Sequence, residues 1–158
     1  MMDQLSYERI EVLLNDTLED PEKSFCFIAA GTGTGKTQAL MTYCKMHEKA
    51  VYLNVPLSVL KSSKSIITSI LESLDVLTFE SQMHHLFNKL AFVLREKQVS
   101  LLVIDNFQEI GNPKLRNDFL EMVSFLSNET HVKFVFAGTQ MPQMTQSIER
   151  RSKIQNVV

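Results

Sequence analysis

The residues best suited to chemistry in this chain lie in the stretch AGTGTGKT, between Ala30 and Thr37. Its alternating glycines permit a tight, partly left-handed backbone whose N–H groups turn inward and bind phosphate oxygens, helped by the start of the next helix. Lys36 is placed to reach the β- and γ-phosphates of a nucleotide, and the Thr37 hydroxyl to bind Mg²⁺. The strict pattern begins with glycine, where this chain has alanine. The predicted nucleotide-binding residues are Ala30, Gly31, Thr32, Gly33, Thr34, Gly35, Lys36, Thr37 and Gln38.

A carboxylate follows later in the chain, where the apolar stretch LLVID ends at Asp105. Ligands of parallel α/β sheets bind beyond the carboxyl ends of the strands, so we expect Asp105 beside Thr37 in a Mg²⁺ site, with ATP as the nucleotide. Many ATPases carry Glu directly after such an Asp, whereas this chain has Asn106. An amide can orient water but cannot accept its proton, so we expect weak hydrolysis. Glu109 is an alternative carboxylate if the segment after Asp105 turns helically.

Polar residues near the end of the chain complete the candidate catalytic set. The stretch FVFAGT delivers Thr139, followed by Gln140, to the same edge of the sheet, where a polar group can sense a γ-phosphate or hold water. An ordinary strand-end turn is the alternative. Arg150 and Arg151 end the last predicted helix. A planar, permanently charged guanidinium suits phosphate, and a solvated basic helix end is the alternative interpretation.

The elements that position these residues follow from the hydrophobic periods of the sequence. Apolar runs alternate with amphipathic helical stretches, which indicates an α/β fold: a three-layer sandwich with a mostly parallel, five-stranded sheet. The predicted strands are 24–30, 50–55, 100–105, 132–138 and a fifth beginning in IQNVV. The predicted helices are 3–19, 37–49, 62–74, 80–97, one beginning at Pro113, and about 141–151.

Size and composition narrow the class of protein. A length of 158 residues predicts one domain over 1–158, and 44% apolar residues can bury a sizeable core. The net charge of −2 does not indicate a protein that is basic overall, as many nucleic-acid-binding proteins are. Lys61 and Lys64 could still form a local basic surface. No signal peptide or membrane-length apolar run is apparent, so we expect a cytoplasmic protein without a membrane partner. Cys26 and Cys44 read as reduced thiols.

With these elements placed, the chain resembles the AAA+ ATPases, which are P-loop NTPases of the ASCE class. The order of its motifs is most similar to the transposition-regulator branch that includes the TniB, TnsC and MuB proteins. The resemblance covers nearly the whole chain and rests on FIAAGTGTGKTQAL, VYLNVPLSVLKSSKSIITSIL, LLVIDNFQEI, VKFVFAGTQ and IERRSKI. It implies Walker A roles for Lys36 and Thr37, the Walker B role for Asp105, a sensor role for Thr139, and an arginine finger at Arg150 or Arg151.

The same resemblance shows where this chain departs from the family. The family's catalytic Glu falls at Asn106, and the C-terminal helical lid has no counterpart, which indicates a minimal form or a fragment. The family implies ATP-controlled assembly on duplex DNA, as a homo-oligomeric ring or helical filament that recruits or stimulates a transposase. A nucleotide-binding switch or adaptor that acts through a protein partner without DNA is the main alternative. A small-molecule kinase is disfavoured because no Arg-rich lid segment lies between the last two strands.

Overall fold

A computed structural model describes residues 7–53 and 56–156 of the chain. Within these residues five strands form one sheet in the order β2-β3-β4-β1-β5, and every neighbouring pair is parallel. The predicted α/β fold is therefore confirmed. The strands are β1 Phe25–Ala29, β2 Ala50–Leu53, β3 Leu101–Ile104, β4 Lys133–Gly138 and β5 Ser152–Asn156.

Helices cover both faces of this sheet and so make three layers. Two helices, α1 and α2, pack on one face, and α3, α4 and α5 pack on the other. Short 3₁₀ turns follow β2 and β3, at Leu57–Val59 and Phe107–Glu109. The helices are α1 Tyr7–Glu19, α2 Lys36–Met46, α3 Ser63–Ser73, α4 Met83–Glu96, α5 Pro113–Thr130 and α6 Gln146–Arg150.

The core is built on phenylalanines of the two central strands. Successive side chains of a strand point to opposite faces, so Phe25 and Phe27 of β1 lie on the α3–α5 side, with Phe134 and Phe136 of β4 beside them. All four are buried, and the rings of Phe27 and Phe136 stack with centroids 5.3 Å apart. The intervening β1 residues face α1 and α2. The sheet is thus a packed platform whose carboxyl ends present the functional loops.

The end of the chain differs from the sequence prediction. The helix expected over about 141–151 forms only over Gln146–Arg150. Pro142 disfavours helical backbone at Met141, and the Thr145 side chain caps the helix by accepting a hydrogen bond from the N–H of Ile148. The fifth strand begins at Ser152, earlier than expected. The predicted positions 3–6, 54–55 and 157–158 lie outside the described residues.

Among the helices formed by residues 7–53 and 56–156, none combines the length and apolar character needed to cross a membrane.

Candidate nucleotide-binding site

The loop between β1 and α2 has the backbone that its glycines predict. Gly33 and Gly35 both have φ of +83°, a left-handed conformation that glycine adopts without the strain that most side chains would introduce. The buried Thr34 hydroxyl donates to the carbonyl oxygen of Gly31 at 2.8 Å and closes the turn. Helix α2 begins directly afterwards at Lys36. The loop therefore presents backbone N–H groups at a helix start, an arrangement that binds anions.

A cavity of about 210 Å³ lies against this loop. Residues 31–38 line it together with Asn106 and Thr139. The glycine loop therefore shares this cavity with one residue that follows β3 and one that follows β4. A larger cavity of about 540 Å³ lies at the opposite, amino end of the sheet, beside His47, Lys49 and Lys133. That cavity has no glycine loop, and we place the functional site at the smaller one.

Asp105 lies under the loop as a buried carboxylate, with its side chain 2% exposed. Its Oδ2 accepts a hydrogen bond from the Thr37 hydroxyl at 2.6 Å, and its Oδ1 accepts one from the backbone N–H of Asn106 at 2.8 Å. The Lys36 Nζ lies 3.8 Å from Oδ1. A buried carboxylate is tolerated only when it is paired and hydrogen-bonded. These contacts bring together the three residues that the sequence assigns to phosphate and metal binding.

A tyrosine that sequence reasoning missed also holds this carboxylate. The Tyr52 hydroxyl donates to Oδ2 of Asp105 at 2.9 Å. Burial raises the pKa of Tyr52 above its usual value, and the hydrogen bond to Asp105 raises it further. Tyr52 lies on β2, directly beside Val103 of β3. The sequence alone does not predict this contact, because it depends on β2 lying beside β3 in the sheet.

The residues after Asp105 separate into different environments. Asn106 has a left-handed backbone, with φ of 58°, and its exposed side chain lines the cavity. Glu109 ends a 3₁₀ turn, is exposed, and lines a separate pocket that also contains Lys61. Within the described residues, no carboxylate lines this cavity, and the carboxylate of Asp105 is linked to it through the lining residue Thr37. The alternative of Glu109 as a substitute base thus finds no geometric support.

The end of β4 places its two polar residues differently. Thr139 is half-buried and lines the cavity, and its backbone N–H donates to Oε1 of Gln108 at 3.2 Å. Gln140 is exposed and does not line the cavity. Gln108 is a second residue that the sequence did not single out, and it ties the turn after β3 to the end of β4.

The two arginines lie at the other end of the sheet, because Ser152 of β5 pairs with Phe25 at the start of β1. Neither lines the cavity of its own chain. Arg150 has an exposed side chain that makes no hydrogen bond or ion pair with the described residues, and its carbonyl oxygen accepts a hydrogen bond from the Nζ of Lys23 at 2.9 Å.

Arg151 is occupied within its own chain. Its guanidinium donates to Oγ of Ser24 at 2.6 Å and to Oδ1 of Asn128 at 2.8 Å, and it also donates to Oγ of Ser124. It lies over the ring of Phe25, 5.4 Å from the centroid. Of the two arginines, Arg150 is therefore the one available to another molecule.

The donors at the site suit magnesium. Mg²⁺ prefers oxygen ligands and usually keeps several waters while binding one or two carboxylates and substrate phosphates. The hydroxyl of Thr37 and the carboxylate of Asp105 are such oxygens, and they already touch. Residues 7–53 and 56–156 contain no cluster of three or more His, Cys, Asp or Glu that could hold a metal by itself.

A five-stranded parallel sheet in this order, with a glycine loop after β1 and an aspartate after β3, is the architecture of the AAA+ class of P-loop NTPases. A model of the family described as "AAA domain" matches residues 20–143, and this chain belongs to that family. A comparison with curated protein sequences found no match.

Solved structures with the same fold include a DNA replication initiation factor and a protein in complex with DNA. Cdc6p from Pyrobaculum aerophilum superposes with a TM-score of 0.64 at 19% identity, over 94% of this chain and 43% of that one. The Aeropyrum pernix ORC1 protein in complex with DNA gives 0.61 at 17% identity, over 94% and 43% of the two chains. AMPPCP-bound DnaA from Aquifex aeolicus gives 0.50 at 16%, over 95% and 46%. This chain spans less than half the length of each.

Proposed function

We propose that this protein binds ATP with Mg²⁺ and that nucleotide binding controls its assembly with further copies of itself on duplex DNA. The observation that carries the proposal is the hydrogen bond of 2.6 Å between Thr37 and Asp105, directly under the glycine loop and beside Lys36. This contact joins residues 68 positions apart in the sequence. It assembles the donors that a Mg²⁺–nucleotide complex needs.

Each residue of the site has a role in this proposal. The loop N–H groups bind the phosphates, and Lys36 neutralises their negative charge. Thr37 and Asp105 would hold Mg²⁺, which supplies further charge neutralisation for phosphoryl transfer. Asn106 and Thr139 would orient water at the γ-phosphate. Ligand pockets usually exceed about 300 Å³, so the cavity of about 210 Å³ would hold the phosphates while the base and sugar extend beyond it.

The proposal that copies of the protein assemble on DNA is more specific than the proposal of ATP binding. It is supported by the exposed Arg150, which could reach only the nucleotide of another copy, and by the fold shared with a protein solved in complex with DNA. A net charge of −2 gives one copy weak affinity for DNA, and many copies on one duplex would add their contacts.

We further propose a cytoplasmic location and, from the resemblance to transposition regulators, a transposase as the protein partner.

A second candidate function follows from Asn106. Asn106 lines the cavity and has an amide in place of the carboxylate that many ATPases carry directly after this aspartate, so slow turnover would leave a long-lived ATP state. Such a state also suits a switch or adaptor that acts through a protein partner without DNA.

Nucleotide binding is tested by thermal unfolding with and without ATP and Mg²⁺. Ligand at 100 times its Kd stabilises a protein by about 2.7 kcal/mol, or roughly 5–10 °C at this size. We expect this shift in the wild type and in Lys45→Ala, a control that removes an exposed lysine from the same helix. Lys36→Ala should lose it. Equal shifts in both variants would refute the site.

Assembly is tested by light scattering with ATP, with duplex DNA, and with both. Growth that requires both ligands supports the DNA-assembly function. ATP binding without growth, but with ATP-dependent capture of a protein, supports the adaptor function instead.

A further inference from the structure

We propose that Tyr52 positions the magnesium-binding carboxylate, so that Mg²⁺ affinity depends on a tyrosine of the neighbouring strand. This inference rests on the proposed ATP–Mg²⁺ function and adds a residue to its metal site.

The geometry follows from the parallel pairing of β2 and β3. Tyr52 lies opposite Val103, and both contribute to the core on the α1–α2 side of the sheet. Asp105 is two residues beyond Val103 and therefore faces the same side. A diagonal neighbour at this spacing lies within reach of an aromatic side chain. The Tyr52 hydroxyl accordingly contacts Oδ2 of Asp105 at 2.9 Å.

The hydrogen bonds of Asp105 show what the tyrosine adds. Oδ2 accepts from both Thr37 and Tyr52, while Oδ1 accepts from the N–H of Asn106 and faces Lys36. Thr37 is itself a candidate metal ligand, and Lys36 is a candidate phosphate ligand. Both would adjust when nucleotide enters. Of the side chains in the described residues that contact Asp105, Tyr52 is the one with no assigned ligand, so it can hold the carboxylate in the same orientation before and after binding.

The tyrosine is suited to this role because its phenolic hydroxyl is a hydrogen-bond donor held by a rigid ring on a strand of the sheet. Tyr52→Phe removes the donor and leaves the half-buried ring that packs against the α1–α2 side. A hydrogen bond to a charged group contributes more than a neutral one, which makes the loss measurable.

The matched control is Tyr43→Phe. The hydroxyl of Tyr43 also makes one side-chain hydrogen bond, to Oδ1 of Asn15 at 2.7 Å, and its ring packs in the same core. Tyr43 does not line the nucleotide cavity. A loss of stability in both variants would indicate lost packing in the core. A weaker response to Mg²⁺ in Tyr52→Phe alone would indicate an effect on the metal site.

The experiment titrates the full chain with a fluorescent, slowly hydrolysed ATP analogue, first in EDTA and then at rising Mg²⁺. We expect Tyr52→Phe to bind the analogue in EDTA within about twofold of wild type. The Mg²⁺ concentration for half-maximal enhancement should rise about tenfold, the factor that corresponds to 1.4 kcal/mol. Tyr43→Phe should match wild type in both measurements.

Three outcomes would overturn the inference. If Tyr52→Phe responds to Mg²⁺ like wild type, the tyrosine is a packing residue and the proposed function stands. If both phenylalanine variants shift the Mg²⁺ response equally, the effect is a general loosening of the core. If wild type binds the analogue in neither condition, the proposed function itself fails and the inference with it.

Discussion

The side-chain Oε1 of Gln108 accepts a hydrogen bond from the backbone N–H of Thr139 across 3.2 Å. The same oxygen lies against Gly138, where an added Cβ would stand 2.4 Å from it. The turn after β3 and the end of β4 thus meet through one amide, next to the nucleotide cavity. A glycine at 138 leaves room for that amide.

This contact predicts that Gly138→Ala and Gln108→Ala are not additive. The alanine methyl would push the flexible glutamine end away and break its bond to Thr139, at a cost of about 1 kcal/mol. Gln108→Ala breaks the same bond at a similar cost. The double variant should therefore lose about 1 kcal/mol in urea unfolding rather than the sum. Full additivity would mean that the contact does not form.

Asn106→Glu should raise ATP turnover by about 10²-fold or more, because a positioned general base is worth that much. Turnover is measured with DNA under conditions that promote assembly. The left-handed backbone of Asn106 favours asparagine, so the variant should also lose about 1 kcal/mol of stability. Asn106→Gln is the control, with the same backbone cost and no carboxylate. Equal turnover in the two variants would count against the missing carboxylate as the limit.

Arg150→Ala and Arg151→Ala should have opposite phenotypes. Arg150→Ala should keep its stability and ATP binding, yet lose DNA-stimulated turnover by about 10³-fold or more, since an arginine supplied by a neighbour is worth about 10³ to 10⁵. Arg151→Ala should lower the free energy of unfolding by about 2 kcal/mol through its lost hydrogen bonds to Ser24, Ser124 and Asn128. Urea unfolding and a phosphate-release assay separate the two. A stable but inactive Arg151→Ala would reverse the assignment.

Cys26 should be protected from thiol reagents in the native state. Burial raises the pKa of its thiol from 9.0 to about 12, so the reactive thiolate is far rarer in the folded chain than in the unfolded one. Because this pKa is higher in the folded state, the related stability is complete below pH 9 and is lost as the pH rises towards 12. Labelling of a Cys44→Ala variant at pH 8, with and without urea, measures the protection. Rapid native labelling would contradict the burial.

The strands and the phosphate loop could be predicted from sequence because they depend on local patterns. Four apolar runs gave four strands within about two residues, and the glycine spacing located the loop. The contacts of Tyr52, Gln108 and Arg151 could not be predicted in this way. Each depends on which strands are neighbours and on where a short turn ends. Tyr52 meets Asp105 only because β2 lies beside β3.

The late start of α6 had a local cause that the hydrophobic period concealed. Apolar residues at 141, 144 and 148 imitate a helical face, but Pro142 and the Thr145 cap delay the helix until Gln146. The roles of the two arginines also depended on long-range contacts, since adjacent basic residues look equivalent in sequence. Only packing distinguishes the tethered Arg151 from the exposed Arg150.

The placement of the phosphate loop and Arg150 at opposite ends of β1 gives the subunit a polarity. The five residues of that strand separate the two by about 16 Å, so one copy cannot use its own arginine at its own nucleotide. Under the proposed function, copies would complete one another only head to tail, through two different surfaces. A closed ring would then have every nucleotide site complete, whereas an open filament would always leave one terminal site incomplete. Turnover per subunit would consequently rise with filament length. The terminal subunit whose site is incomplete would keep its ATP longest, so disassembly would start last at that end.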